Sequence, residues 1–205
     1  MWARRAIPDG AAAQHARPTG PCLPAAAALA VVVLLVLLLY GRSVGYGAIW
    51  DDPVWFGQAR GMSFAQMLGG ASNYQFYRPL SLWYGQLWWR SDGSLAIGWL
   101  HAMQVAWHSA TCVLVMTMAR RWGMGWPTTA LAGLITAAFP FSHQAVAWAV
   151  PQQPAVTALI IASMLAFQRF RAQPSAITGP RPVHGRLGWL LASLALFAVA
   201  LLTHE

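Results

Sequence analysis

Two of the five acidic residues in this chain stand side by side, in Ala48-Ile49-Trp50-Asp51-Asp52-Pro53-Val54-Trp55-Phe56. Adjacent carboxylates repel each other and lose hydration against aromatic neighbours, so this placement costs free energy. Such a pair can do two kinds of chemistry. One carboxylate can act as a general base toward a hydroxyl, or both can hold Mg²⁺ or Mn²⁺ through oxygen ligands. Two acids alone do not decide between these roles. The plainer reading is a turn, because Asp-Asp-Pro breaks one helix and caps the next.

Further along, Tyr77-Arg78-Pro79-Leu80 presents a guanidinium on a proline-braced turn. The planar fork of Arg binds phosphate oxygens in pairs, so Arg78 suits a phosphate or a lipid head group. His101, Gln104 and His108 are spaced i, i+3 and i+7, which places all three polar groups on one face of a helix. Polar groups inside a span face the protein interior and tie helices together, so these three are expected to support the bundle. A haem site needs histidines on facing helices, and no second inward pair is evident; no haem is expected. The stretch Phe139-Pro140-Phe141-Ser142-His143-Gln144 sets a proline break beside two polar side chains, His143 and Gln144, that could line a cavity. Its simpler reading is a kink.

These residues need elements to position them, and the composition says which. The 205 residues are 58% hydrophobic and 9% charged, with 12 Trp, against roughly 25% charged in a soluble domain. The chain therefore reads as a polytopic membrane protein. All 13 basic residues are Arg, and they fall between apolar runs. That distribution points to topology and anionic lipid contact and away from a nucleic-acid stripe. Cys22 and Cys112 belong to no CxxC or disulfide framework and read as structural.

Residues 1–23 are rich in Ala, Pro and Gly and are expected to form a disordered cytoplasmic tail. Spans are expected at about 24–40, 95–118, 128–150, 151–168 and 187–202, the third kinked at Phe139-Pro140. The outer loop, residues 41–94, holds the acidic pair and then an aromatic segment. After Pro79 that segment suits an amphipathic helix lying in the interface, because Trp and Tyr favour head-group depth. With the N-terminus inside, nine Arg residues (4, 5, 17, 120, 121, 169, 171, 181 and 186) face the cytoplasm and four (42, 60, 78 and 90) face outward. Asp51, Asp52, Asp92 and Glu205 then share the outer face.

In order and topology, these motifs resemble the N-terminal part of the GT-C glycosyltransferases. The closest likeness is to the transmembrane O-mannosyltransferases that carry TPR repeats, and to their bacterial relatives. Asp51-Asp52 sits where that family has an acidic pair after its first span, and Tyr77-Arg78-Pro79-Leu80 matches its Tyr-Arg-Pro-Leu. His101 and His108 fit a His-x-x-Asn-x-x-x-His pattern, with Gln104 in place of Asn. Pro140, Ala145, Val146 and Trp148 fit the His-Pro…Glu-Ala-Val…Trp segment, but Phe139 replaces the His and Gln144 replaces the Glu. Gln152 and Pro154 stand where an Arg and an acid are frequent. Leu202-Thr203-His204-Glu205 is similar to the family's Ser-Lys-Glu, with His for Lys.

The resemblance covers residues 24–205 and implies an all-α integral membrane bundle of about five spans. It implies transfer of a sugar from a polyprenyl-phosphate donor to a hydroxyl acceptor, protein or glycan, outside the cytoplasm. Asp51 or Asp52 would act as base or hold a divalent cation. Tyr77, Arg78, His143, Gln144 and Glu205 would contact substrate. Family members have more than five spans, so the chain is expected to be the N-terminal part of a longer protein of the inner or plasma membrane. The alternative is a non-catalytic scaffold or transporter segment, with the acids as turn formers and the histidines as packing groups.

Overall fold

The computed structural model describes residues 25–49, 52–70, 77–149, 153–172 and 183–203. The expected N-terminal tail, Asp51, Gln152 and Glu205 lie outside these residues. The described residues form nine α-helices and one 3-10 turn, with no strand. Four helices are long and apolar enough to cross a membrane: Ala25–Gly45 (with its 3-10 end), Ile97–Arg121, Gln153–Ala172 and Arg186–Thr203.

Helix α1 (Ala25–Tyr40) buries Ala28, Val32, Val36 and Tyr40, a strict i+4 stripe. Its other face is Ala, Leu and Val only, and Leu38 is 70% exposed. So much bare aliphatic surface would be untenable in water but is the natural lipid face of a span. A 3-10 turn, Gly41–Gly45, closes α1.

Helix α5 (Ile97–Arg121) is the axis of the bundle, and α1, α6 (Trp126–Ala138) and α8 (Gln153–Ala172) pack around it. Gly133 on α6 allows a close approach to α5 and α1. A Cβ there would stand 2.7 Å from Sδ of Met116 and 3.1 Å from Val32 Cγ2. Helix α9 (Val183–Thr203) pairs with α8 through a reciprocal serine clasp. Ser163 Oγ donates to the Ser193 carbonyl (2.8 Å) and Ser193 Oγ to the Ser163 carbonyl (3.0 Å). Hydroxyls that reach backbone carbonyls in this way join helices where lipid supplies no hydrophobic drive.

The third apolar run, expected as one kinked span, is instead two helices. Helix α6 stops at Ala138 after 13 residues, and α7 (Ser142–Ala147) restarts beyond the proline. At 1.5 Å per residue α6 is about 20 Å long, short of the roughly 30 Å hydrocarbon core. Pro140 cannot donate a backbone N–H, and it pushes Phe139 to an extended conformation (φ −60°, ψ 123°), so the helix ends there.

The described part of the stretch between α1 and α5 holds more helix than its glycine-rich sequence implied. It contains α2 (Asp52–Ala59), α3 (Phe64–Leu68) and α4 (Pro79–Gln86). Ser63 and Gln66 form a capping box that starts α3, and Pro79 occupies the first turn of α4, where its missing N–H costs nothing. Trp55, Phe56, Ala59, Met67 and Leu82 make a small core that also takes in Leu100 of α5 and Ala149. The Gln86 amide donates to the carbonyls of Ala59 and Met62, tying α4 to the end of α2.

Helix α4 lies on α2 at Gly85, where a Cβ would stand 2.6 Å from two ring carbons of the buried Phe56. Gly85→Ala should therefore push the two helices apart, at a cost of about 1–3 kcal/mol typical of overpacking. Limited proteolysis of the purified chain checks this. The alanine variant should be cut faster within 57–90, and an unchanged cleavage rate would show that the contact is not restrictive.

Candidate functional site

The site is built from the start of α2 outward. Asp52 is its first residue, and Pro53 follows at a position where proline is preorganised for a helix. The Ile49 N–H donates to Asp52 Oδ2 (3.0 Å) and the Asp52 N–H donates back to the Ile49 carbonyl (3.0 Å). This closes a tight turn, as the plain reading of the sequence expects. The turn does not account for the burial, however. Asp52 is 0% exposed, and a turn-forming carboxylate would normally remain in water, where its charge is solvated at no cost.

Trp55 lies one turn further along α2 and is also buried. The guanidinium carbon of Arg78 sits 5.2 Å from the centroid of its ring, a cation–π distance. Arg78 is the residue before Pro79 and caps α4 with non-helical backbone (φ −132°, ψ 59°). The proline thus holds Arg78 out of the helix and over the tryptophan. The small core of α2 and α4 brings Asp52 and Arg78 to the same end of the bundle.

The C-terminus of α9 joins them there. Ser81 Oγ donates to the Thr203 carbonyl (2.8 Å), pinning α4 against the last described turn of the chain. The sequence alone does not announce this bond. Tyr77, expected at the substrate, is 41% exposed, and its hydroxyl donates to the Leu68 carbonyl (2.9 Å) at the end of α3. Burial pushes the phenol of Tyr84 up to about 12. On the next turn Asp92 accepts from the Ser94 hydroxyl (2.7 Å) and N–H (2.8 Å), and these bonds hold its carboxyl below the usual range.

The polar stripe of α5 forms a second group. His101 and Gln104 are 0% exposed and His108 is nearly so. Each reaches a carbonyl outside a regular helix or at a helix end. His101 Nε2 meets the Gly47 carbonyl (3.3 Å), Gln104 Nε2 the Trp148 carbonyl (3.0 Å) and His108 Nε2 the Ala137 carbonyl (3.4 Å). Carbonyls only accept, so both histidines carry their proton on Nε2. Thr111, which the sequence reading did not single out, continues the stripe. Its hydroxyl donates to the Pro154 carbonyl at 3.1 Å.

Tyr40 also reaches the Ala137 carbonyl (3.0 Å), and its ring stands 5.2 Å from that of His108 and 6.3 Å from that of His143. The i+4 stripe of α1 was the available signal that Tyr40 faces inward. His143 and Gln144 are exposed on α7. His143 stands beside Tyr40. Two groups result: an acid with an arginine in the stretch between α1 and α5, and a histidine group beside the broken helix. Leu100, Leu82 and Ala149 pack between the elements that carry them.

Among the described residues, no group of three or more His, Cys, Asp and Glu is placed to hold a metal ion. Asp52 can supply one oxygen ligand; its expected partner Asp51 lies outside the described residues. Fold and composition together define an all-helical membrane protein. No protein-family model, curated protein or solved structure matches the chain.

Proposed function

We propose that this chain is part of a membrane glycosyltransferase of the GT-C kind, moving a sugar from a polyprenyl-phosphate donor to a hydroxyl acceptor. The observation that carries the reading is the fully buried Asp52, one helical turn before the tryptophan on which Arg78 lies. In the proposed reaction a carboxylate at this site, from Asp52 or Asp51, takes the proton of the acceptor hydroxyl. The hydroxyl oxygen bonds to the anomeric carbon as the sugar–phosphate bond breaks, and polyprenyl phosphate leaves. Arg78 balances the charge on that phosphate. If the acidic pair instead holds Mg²⁺ or Mn²⁺, the cation would polarise the same phosphate.

The proposed topology has the N-terminus in the cytoplasm and five passages, the third made of α6, the break and α7. Asp52, Arg78 and the end of α9 then lie together on the extracytoplasmic side. His101, Gln104 and His108 support the bundle behind them.

The test is a transfer assay on membranes carrying the gene product, with polyprenyl-phosphate-linked sugars and hydroxyl acceptors. Arg78→Lys keeps the charge but loses the planar fork. It should raise the KM for the donor by about tenfold, on the scale of one lost charge-assisted hydrogen bond, with kcat less affected. Absence of transfer from any donor by the unmodified protein would favour the scaffold alternative.

A further inference from the structure

The arginine-rich end of the bundle holds a cleft that sugar transfer does not use. Its walls come from the end of α5 (Arg121, with Trp122 just beyond), the last turns of α8 (Gln168, Arg169, Ala172) and Trp189 of α9, around a volume of about 620 Å³. We propose that this cleft binds the phosphate head group of an anionic membrane phospholipid.

Three observations lead there. The first is charge. Arg121 spends one N–H on the Leu165 carbonyl (3.2 Å), and the guanidinium of Arg169 rests 4.9 Å from the Trp189 ring centroid. A guanidinium has five N–H donors, so most of the donors on both side chains remain for a phosphate. The described acids, Asp52 and Asp92, precede α5, whereas Arg121 is its last residue. The helix separates the two ends by on the order of 37 Å, so neither carboxylate can neutralise the pair.

The second is depth. Arg121 and Arg169 lie in the last turns of helices of spanning length, which is head-group level for a bilayer. Trp122 and Trp189 mark the same level. The third is shape. Indole rings and the Ala172 methyl give the cleft apolar walls beside the two cations, which suits a ligand with a phosphate on a hydrocarbon body. A soluble phosphate would have no use for those walls.

The experiment is native mass spectrometry of the purified full chain in neutral detergent, titrated with phosphatidylglycerol or phosphatidylcholine. The unmodified protein should retain phosphatidylglycerol in preference. Arg169→Gln should weaken retention about fivefold and Arg121→Gln with Arg169→Gln about 25-fold, the factor expected for one and two arginines at an anionic surface. Arg42→Gln with Arg90→Gln removes equal charge from the other end and should change nothing. Because Arg121 also bonds α8, the single Arg169→Gln variant guards against a folding effect: it loses only the Trp189 contact. Equal retention of the two lipids, or equal losses from the two double variants, overturns the proposal. Displacement of the lipid by millimolar inorganic phosphate also overturns it, because the ligand would then be a soluble anion.

Discussion

Asp52→Asn should lower sugar transfer by about 10²–10⁴-fold, the contribution of a positioned general base, while leaving the amount of membrane-inserted protein unchanged. Asparagine is nearly isosteric, and its side-chain oxygen can still accept from the Ile49 N–H that Asp52 Oδ2 now receives at 3.0 Å. The turn and the start of α2 should therefore survive, and only the charge and the basicity are lost. That separates chemistry from folding, which Asp52→Ala would confound. Combining it with Asp51→Asn asks whether the neighbouring carboxylate supplies the residual rate. Turnover within twofold of the parent in the double variant would remove the acidic pair from the mechanism. Arg78 and the rest of the proposal would then have no reaction to serve. A loss restored by raising Mn²⁺ would instead assign the pair to a cation.

The second large effect concerns the broken third run. Pro140 stands three residues beyond Ala137 and four beyond Thr136, and has no N–H to give either carbonyl. At membrane depth such a carbonyl must find another partner. Ala137 finds two, Tyr40 at 3.0 Å and His108 at 3.4 Å. Tyr40→Phe or His108→Leu alone leaves one bond in place and should cost about 0.6 kcal/mol, the usual worth of one interhelical hydrogen bond in a membrane. Together they orphan the carbonyl, at about 1–3 kcal/mol. The double variant should therefore exceed the sum of the singles by about 1 kcal/mol or more in a denaturant titration in mixed micelles. Strict additivity would mean that the two bonds are independent, or that water replaces them, and the shared-acceptor account would fail.

How much of this was legible in the sequence varied with the range of the interaction involved. Uninterrupted apolar runs gave α1, α5, α8 and α9 because helices in lipid must satisfy their own backbone, so length and hydropathy suffice. The i, i+3, i+7 spacing of His101, Gln104 and His108 placed them on one face, and that face is the buried one. It could not say what they touch: the partners are backbone carbonyls, which no residue type advertises. The proline located the break after Ala138 but did not show that the helix stops there without continuing.

Between α1 and α5, glycines masked two helices. Gly61 and Gly70 adopt left-handed backbone (φ 84° and 73°), just beyond α2 and α3. They end helices in the way glycine ordinarily does, although their density read as irregular chain. Asp52 was singled out by its aromatic company, but its burial was not legible, nor was the seating of α4, which packs at Gly85 and is pinned at Ser81. Neither residue has a distinctive pattern. Tyr77 and His143 were expected at the substrate; the Tyr77 hydroxyl bonds the end of α3 and the His143 ring stands beside Tyr40, contacts that their sequence motifs do not show.

The Ser81–Thr203 bond spans 122 positions, and this separation sets a timetable for biosynthesis. At about 5–20 residues per second, a ribosome needs about 6–24 s to go from the first partner to the second. Throughout that interval α4 has been made but the helix end that fixes it has not. The segment that carries Asp52 and Arg78 is thus made well before the helix end that anchors it. An arrest in translation or insertion anywhere between α5 and α9 would leave this segment loosely held, however well its own short helices had formed.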